Sequence, residues 1–529
     1  EYLSWWPVVA EQYHFPGNFY QASMQANGKY VLFYSIGISI LQTPFFFVGH
    51  GVAGLFGFPQ DGFSFPYPLA ICVGMLVYAF IGLIFLRKFL LKYFEDSIVA
   101  WGLLLTVLAT NYPQYTAIEA GMTHGYLFTL FCLLLFFTAQ WHEKPSYRNA
   151  LIIGGLLGVA TVCRPTDAVI IFIPLLWNTH NKELRRLKLL ILKKDKLYAI
   201  AFVVGGIIPL IPQFLYWKSV TGSFLHKMGS KWDFLSPHWQ VIIGWEKGWF
   251  IYTPVTVLMV IGLFFMKHRN YQRALLTYFI LNLWIVIAWH VWRFGASYSA
   301  RALTQSLAVL SLPLCSLLEK LIHKKWQIAI GILVSLYLCT VNLFQIWQYN
   351  QTIIHYDDMN RRYYAAVYLN PLPSPAKMSL LDTDEYTDST KLYLYNIIKK
   401  DTFYILNGVT DSIAMLIDQD LLSIVGQTNT VNWLKITAYV KSEWGAYNAF
   451  MITELQKANF GKKRSVRMQN GISDIKEWNK IEYFFKIPAE NSPARLRIFI
   501  HSSSLQNIMI RDFHCTVYQE NNGGLRKSD

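Results

Sequence analysis

The chain has 529 residues, of which 53% are hydrophobic and 16% aromatic, and its formal net charge at pH 7 is +15. Apolar runs of about 20 residues recur along it, which argues against a large soluble protein and indicates a polytopic α-helical membrane protein. Lys and Arg gather in short loops between these runs and form no long basic arm, so the charge does not indicate a nucleic-acid partner. Five of the six cysteines lie in apolar runs and one lies in the tail, which supports neither a disulfide framework nor a zinc motif.

The N-terminal residues predict structure on the outer side of the membrane. Residues 1–30 are polar and aromatic, which is typical of an outer loop. Residues 31–57 are apolar but interrupted by Pro44, Gly49 and Gly51, so they could form one span or two half-length pieces, and the charge pattern favours the second, re-entrant arrangement. The chain starts at Glu1, and we expect one further span upstream of it.

Charge counting predicts the orientation of the membrane domain, 31–346. Basic loops stay on the cytoplasmic side of a bacterial inner membrane, and from residue 87 onward basic loops alternate with loops that are uncharged, acidic or long. This pattern predicts ten crossing segments and leaves residues 347–529 in the periplasm. The predicted segments are 68–86, 97–111, 125–141, two short helices within 150–177, 198–217, 253–266, 274–291, 302–318 and 326–346.

The segment from Ala150 to Trp177 is the most informative apolar stretch. Its 28 residues exceed one ordinary span of about 20, and basic residues flank it on both sides, so it must enter and return as two short helices. The turn between them carries Arg164 and Asp167 in the outer half of the membrane, where charges are costly unless they are paired or face a polar cavity. Either this is a structural Arg–Asp turn, or Arg164 faces an anionic ligand.

Two loops on the predicted outer side carry further candidate residues. Glu119 lies in the apolar and aromatic loop 111–124, with His124 just before a span. Glu119 is either a solvated acid or a base or metal ligand, and a divalent cation would need a second carboxylate from another loop. The loop 218–252 contains Trp232 and several cationic residues, among them Lys247. Cations on the outer side run against the orientation rule and favour phosphate binding.

A third outer stretch, Trp289–Arg301, reads WHVWRFGASYSAR and opens a span. Arg293 and Arg301 flank its small-residue turn at a helix start, where free backbone N–H groups favour an anion. Either arginine alone could reach up to lipid headgroups. Together with Arg164, however, they form three arginines on one outer face, which predicts a shared phosphate site.

From about residue 430 the hydrophobic period changes from helical to alternating. This change predicts a jelly-roll β-sandwich over 431–520, with 347–430 as a linker and mixed α/β segment. The tryptophans Trp433, Trp444 and Trp478 could stack on sugar rings, or could belong to the core of the sandwich. The predicted strands are Val431–Ser442, Ala449–Leu455, Ile481–Ile487, Arg495–His501 and Ile508–Tyr518.

Six stretches between about residues 20 and 365 carry a family resemblance: Gly28–Phe46, Glu119–His124 (EAGMTH), Gly154–Pro174 with its RPT, Gly248–Pro254 (GWFIYTP), Phe294–Arg301 (FGASYSAR) and Asn342–Tyr364. In this order they resemble the GT-C superfamily of integral membrane glycosyltransferases, near the aminoarabinose transferase and protein O-mannosyltransferase group. The closest likeness is to bacterial members called dolichyl-phosphate-mannose-mannosyltransferase-like. The resemblance implies a helix bundle with juxtamembrane helices and a polyprenyl-phosphate-linked sugar as donor, with transfer on the periplasmic side to a glycan, lipid or protein.

The resemblance also implies roles for individual residues. The family's catalytic Asp follows its first span, so we expect the main base to lie upstream of Glu1. Glu119 matches the second outer-loop acid, as a base or as a ligand of Mg or Mn. Lys29 and Tyr34 match the donor-phosphate region. We add Arg164, Arg293 and Arg301 for the phosphate, and His124, Trp232 and Lys247 for the acceptor or sugar.

Two alternatives remain open at this point. One is a non-catalytic membrane partner or glycan-binding subunit built on the same fold. Its partners would be membrane lipids and a membrane protein complex. The other is a lipid-linked oligosaccharide ligase or carrier. Against the second, the sequence has no long His-bearing loop and no inverted repeats of the transporter kind.

Overall fold

The computed structural model describes residues 5–13, 21–226, 229–266, 269–382, 385, 392–400, 403–407, 412–426, 431–442, 449–456, 461–472, 474, 477–487, 494–502 and 507–520. These residues form two compact units, Glu1–Asn350 and Gln351–Asp529. The first is helical and the second consists mainly of β-strands. This confirms the predicted fold class, a polytopic helical protein with a C-terminal β-sandwich.

The helices of the first unit follow its apolar runs. They are α1 (Trp6–Tyr13), α2 (Gly37–Leu55), α3 (Pro66–Leu90), α4 (Asp96–Leu108), α5 (Thr123–Glu143), α6 (Tyr147–Cys163), α7 (Phe172–Leu176), α8 (Lys182–Lys194), α9 (Leu197–Ile207), α10 (Ile211–Thr221), α11 (Gln240–Ile243), α12 (Trp249–Tyr252), α13 (Val255–Gly262), α14 (Arg269–Ile287), α15 (Leu307–Leu321) and α16 (Lys325–Asn350). A π-helical turn at Gln114–Ile118 and 3-10 segments at Pro165–Ile171, Ile208–Leu210, Leu263–Phe265 and Arg301–Ser306 complete them. A short β-hairpin, β1 (Ala22–Met24) and β2 (Tyr30–Leu32), precedes α2.

All ten predicted crossing segments coincide with helices. Within the described residues, six helices are long and apolar enough to cross a membrane, and four shorter apolar helices accompany them, including the two halves of the 150–177 hairpin. One local prediction was wrong. Residues 31–57 do not form two half-length pieces, because α2 is continuous for 19 residues despite Pro44 in its interior.

Successive helices run back and forth and give the first unit two ends. One end, which we call the basic end, is where α3, α5 and α7 finish and α14 begins. There Lys92 Nζ lies 2.7 Å from a Glu143 carboxylate oxygen, and the Asn178 N–H donates to the Asn270 carbonyl. The other end, the polar end, is formed by three segments: 111–124, 164–167 and 293–305. The turn at Arg164 lies at the polar end because α6 runs from the basic end to the polar end. The 3-10 segment Pro165–Ile171 and α7 then return to the basic end.

Glycines let α6 pack directly on α9 and on the start of α2. A Cβ at Gly154 would collide with the Phe202 carbonyl of α9, and a Cβ at Gly37 would collide with the backbone of Cys163. Small residues allow such close helix contacts in membrane proteins. These two contacts position the end of α6, and therefore Arg164, against its neighbours.

The second unit is a two-sheet β-sandwich. Its strands are β3 (Leu392–Lys400), β4 (Tyr404–Asn407), β5 (Ile413–Asp420), β6 (Asn432–Ser442), β7 (Ala449–Gln456), β8 (Lys462–Arg467), β9 (Asn479–Ile487), β10 (Arg495–Ser502) and β11 (Asn507–Glu520), with short helices α17 (Arg361–Val367), α18 (Pro375–Met378) and α19 (Leu421–Val425). One sheet has the order β5-β10-β7-β8 and the other β3-β11-β6-β9, with β4 also pairing β11. All pairs are antiparallel, and this interleaved order is that of a jelly roll.

The sandwich begins earlier than the sequence predicts. Strands β3 to β5 belong to the predicted linker and mixed segment, 347–430, and both sheets need them. Their outer residues are largely apolar, so they lack a clear polar and apolar alternation; Leu394 and Ile397, for example, are more than half exposed.

The structure separates the tryptophans that were candidates for sugar stacking. Trp433 is 4% exposed and its indole N–H donates to Glu520 Oε2 at 3.0 Å, so it cannot offer a ring face to a sugar. Trp478 is half-buried, and the Arg511 guanidinium lies 4.3 Å from its ring centre. Trp444 lies outside the described residues.

Gly154→Ala is expected to lower the melting temperature of the detergent-purified protein, because overpacking a close helix contact costs about 1–3 kcal/mol. Gly155→Ala is the matched control, since a Cβ there would meet its nearest atom, the Gly205 carbonyl oxygen, at 3.9 Å. Both changes raise helix propensity equally, so the difference between them reports the contact. Equal melting temperatures would contradict the α6–α9 packing.

Candidate functional site

A chain of buried polar groups crosses the polar end of the helical unit. Gln305 connects two of the predicted features: its Oε1 lies 3.2 Å from His124 Nδ1, and its amide N–H groups donate to both Asp167 oxygens at 3.1 and 3.2 Å. Asp167 is 1% exposed, and Arg164 Nε lies 4.0 Å from its Oδ2. A buried carboxylate needs such partners, so the network fixes three helix ends relative to one another.

Arg164 is only partly used by this network. Its Nη1 is buried and has no hydrogen-bond acceptor within the part of the chain that the structure describes. Arg164 and Arg301 both lie within electrostatic reach of the His124 ring. The structure therefore places these two arginines at the same end of the bundle.

Glu119 lies beside this network on the loop before α5. Its Oε1 accepts a hydrogen bond from Gln114 Nε2 at 2.9 Å, and Asn350 Nδ2 donates to Gln114 Oε1 at 2.8 Å. Glu119 Oε2 is buried and has no donor among the described residues. Burial raises the pKa of the Glu119 carboxyl, while the Gln114 hydrogen bond and the positive charges of Arg301 and Lys247 partly oppose the rise.

The loop before Arg301 has an unusual backbone that specific contacts hold in place. Phe294 and Ser299 have φ near +58° and +57°, a region of backbone conformation that residues other than glycine rarely adopt. The Tyr115 hydroxyl donates to the Tyr298 carbonyl at 2.8 Å and accepts from the Tyr298 N–H at 3.0 Å. This loop therefore presents Arg301, whose Nη1 donates to the Ala296 carbonyl, in one defined position.

Lys247 acts on this same loop. It is completely buried, and its ammonium donates to the Gly295 carbonyl, the Ser297 carbonyl and the Ser297 hydroxyl at 2.9–3.0 Å. An ammonium has three hydrogens to donate, so these bonds favour a positioning role over the predicted sugar contact. Its charge still reaches Glu119.

Two other predicted residues lie at the surface of the polar end. Arg293 is exposed and stacks over Trp292, with its guanidinium carbon 5.3 Å from the ring centre. Trp232 pairs with Trp289 in an isolated antiparallel bridge, which ties the long loop to the residues that follow α14.

Lys29 and Tyr34 flank β2, just before α2. The Lys29 ammonium donates to the Ser219 carbonyl at 3.0 Å, near the C-terminus of α10, where a cation is favourable. Tyr34 is 66% exposed. It precedes Gly37, which contacts the end of α6, so Tyr34 lies on the segment that approaches Arg164 while Lys29 is engaged elsewhere.

An open cleft of about 560 Å³ lies between α2 and α3. Its wall includes Gly121, two residues from Glu119, and polar side chains on one face of α2. The lining residues include Ser39, Gln42, Thr43, Phe46 and Tyr67. A cleft with this mixed wall can accept a ligand that has both a polar and an apolar part.

The surroundings of Glu119 do not fit the predicted Mg or Mn ion. Within the described residues, no group of three His, Cys, Asp or Glu side chains could hold a metal. The charged groups that act on Glu119 are two cations, Arg301 and Lys247. A hard divalent cation would instead need several oxygen ligands.

Three residues that complete the network, Gln305, Gln114 and Asn350, could not be recognised from the sequence. Each is a neutral amide at the edge of an apolar segment, and such a residue has no charge signal. Their partners are far away in sequence: Gln305 and His124 are 181 residues apart, and Gln114 and Asn350 are 236 apart. A polar amide at the edge of an apolar segment was the one available signal.

Comparison with known proteins gives a loose structural likeness. The chain is similar to ArnT from Cupriavidus metallidurans bound to undecaprenyl phosphate, with 11% identity and a TM-score of 0.41, over 65% of this chain and 60% of that one. It is also similar to the same protein in the apo state, with 13% identity and a TM-score of 0.39, over 65% and 59%. ArnT is a GT-C glycosyltransferase, the superfamily that the sequence resembles. The chain spans about 60% of ArnT, and likeness of this size carries no argument about activity. No family model and no curated protein matches.

Lys247→Met is expected to loosen the loop 293–301, because it leaves buried carbonyl oxygens without donors at a cost of about 1–3 kcal/mol each. Hydrogen exchange followed by mass spectrometry should show faster exchange in this loop. A thermal unfolding experiment should show a lower melting temperature. Lys231→Met, an exposed lysine of the same long loop, is the control and should change neither. Unchanged exchange in Lys247→Met would show that Lys247 does not hold the loop.

Proposed function

We propose that the protein is a membrane glycosyltransferase that moves a sugar from a polyprenyl-phosphate carrier to an acceptor at the polar end of the bundle. One observation carries the proposal. Arg164 and Glu119 each keep a buried polar atom without a partner among the described residues, and Arg301 lies within electrostatic reach of both neighbourhoods. Paired cations and a carboxylate of this kind suit an anionic leaving group and a hydroxyl acceptor.

The chemistry assigns each group a task. The acceptor oxygen attacks the anomeric carbon of the sugar, the bond to the phosphate oxygen breaks, and the configuration inverts. Arg164 and Arg301 stabilise the negative charge that grows on the leaving phosphate. Glu119 takes the proton from the acceptor hydroxyl, and the mixed cleft beside Gly121 holds the start of the carrier chain.

The distribution of charge supports a periplasmic position for the polar end. Described Lys and Arg residues concentrate in the loops of the basic end, which the orientation rule assigns to the cytoplasm. The polar end then faces the periplasm of a bacterial inner membrane. The acceptor is a glycan, lipid or protein that is reached from there.

A second candidate function is a non-catalytic glycan-binding membrane subunit. The observation that favours it lies in the sandwich. Arg511 lies over one face of the half-buried Trp478 ring and 5.9 Å from the centre of the Tyr439 ring, so this cluster offers aromatic and cationic groups that a glycan could contact. The two functions differ in whether any donor is consumed.

Arg301→Ala is expected to lower transfer by about 100-fold or more, because one lost donor to a developing oxyanion has effects of this size. The assay follows release of undecaprenyl phosphate from a panel of undecaprenyl-phosphate-linked sugars. Arg293→Ala removes the same charge from the exposed rim and should keep most of the activity. Melting temperatures should match the parent in both variants.

Full activity in Arg301→Ala would remove this arginine from the site. A parent protein that binds undecaprenyl phosphate but consumes no donor in the panel would favour the non-catalytic subunit. Loss of activity in both arginine variants would indicate a general charge effect rather than a phosphate contact.

The pH dependence of transfer provides a separate test of Glu119. Only the carboxylate can accept a proton, so the rate should fall as the pH drops through the pKa of Glu119. Because burial raises this pKa, the acid limb should lie above the usual glutamate value of about 4.3. Arg301→Gln removes a charge that opposes the rise, so its residual activity should show the limb at still higher pH. Glu119→Gln should abolish the limb, and a limb that survives would assign the base elsewhere.

A further inference from the structure

Helix α8 at the basic end has the composition of a helix that lies in a membrane interface. Its sequence, KELRRLKLLILKK, carries six cationic side chains and one acid, and none of its residues is buried. Leu187, Leu189 and Leu190 are each more than half exposed. Short helices that combine apolar residues with Lys and Arg lie in the headgroup layer of a membrane.

Lys188 fixes how α8 lies on the bundle. Its ammonium donates to the carbonyls of Pro174, Leu175 and Trp177 at 2.7, 2.9 and 3.2 Å, at the C-terminus of α7. Partial burial lowers the pKa of Lys188 to about 8, so the group remains largely charged at neutral pH. With its three hydrogens used, Lys188 acts as a clamp between α8 and α7.

The clamp leaves an open groove of about 680 Å³ between α8 and α14. Arg185, Leu189 and Leu192 line it from α8 with the spacing of one helix face, and Arg273 and Leu276 line it from α14. The groove therefore has leucines along its walls and an arginine on each side.

Both arginines can contact a ligand at this groove. Arg185 is exposed, and no described residue forms a hydrogen bond or ion pair with its guanidinium. Arg273 uses Nη1 for the Thr179 carbonyl at 2.8 Å and keeps other N–H donors. The one acid of α8, Glu183, lies two positions from Arg185 and therefore on a different face of the helix.

We propose that this groove binds one anionic phospholipid from the leaflet at the basic end. The two guanidinium groups take its phosphate, and the leucines contact the first part of its acyl chains. A free phosphate ion would satisfy the arginines but would leave the leucines exposed, whereas a zwitterionic lipid offers less net charge to match. Basic pockets between membrane helices on this side recognise anionic headgroups in the same way. The proposal does not depend on the glycosyltransferase function.

The test titrates the full-length protein in detergent with phosphatidylglycerol or with phosphatidylcholine of the same acyl chains, and measures bound lipid by native mass spectrometry. Phosphatidylglycerol should bind more tightly than phosphatidylcholine. Arg185→Gln should weaken phosphatidylglycerol by roughly fivefold, the effect of one cation near an anionic headgroup. Arg186→Gln is the matched control, because it removes the same charge from the adjacent position, outside the groove, and should leave the affinity unchanged.

A second pair of variants tests the acyl contact. Leu189→Asn, inside the groove, should weaken binding, while Leu190→Asn, which is equally exposed but outside it, should not. Glycerol phosphate at millimolar concentration should fail to compete. The proposal is overturned if Arg186→Gln weakens binding as much as Arg185→Gln, if the two lipids bind equally, or if glycerol phosphate displaces the lipid.

Discussion

The polar end of the bundle depends on one constraint, the need to satisfy a carboxylate that is buried among apolar helices. Asp167 is 1% exposed, and its oxygens receive two hydrogen bonds from Gln305 and the nearby charge of Arg164. Because an unpaired buried charge costs several kcal/mol, the segments that carry these partners must meet. The ends of α5, α6 and the segment before α15 are therefore held together by polar contacts, while the leucines around them only determine how tightly they pack.

The same reasoning separates residues that hold the site from residues that face a ligand. Lys247 is buried and its three hydrogen bonds are all made within the protein, so its removal should disturb a loop. Glu119 Oε2 and Arg164 Nη1 are buried too, yet each has no partner among the described residues. These two atoms are therefore available to a ligand, and the proposed phosphate and sugar would supply their partners. This contrast is why the proposed chemistry rests on Arg164, Arg301 and Glu119 and assigns Lys247 a positioning role.

Much of this architecture could be predicted from the sequence because it follows from local patterns. The hairpin at Arg164 follows from a 28-residue apolar run between two basic loops, and the strands β6, β7, β9, β10 and β11 follow from alternating residues. The strands β3 to β5 could not be predicted so clearly, since exposed apolar residues such as Leu394 blur the alternation. The amide partners Gln305 and Asn350 were missed for another reason: their contacts join segments that lie far apart in the chain, and a neutral side chain gives no sign of which segment it will meet.

Cationic residues have different roles at the two ends of the helical unit. At the basic end, the orientation rule alone accounts for an excess of Lys and Arg, so a charge there indicates a ligand only when it lines a built feature, as Arg185 and Arg273 do. At the polar end, the rule predicts few cations, and yet Arg164 and Arg301 lie within electrostatic reach of His124, and Arg301 and Lys247 within reach of Glu119. Their positions there need a cause other than topology. The proposed donor phosphate, arriving from the membrane, would be such a cause, and it would also account for the unpartnered Arg164 nitrogen and the cleft beside Gly121.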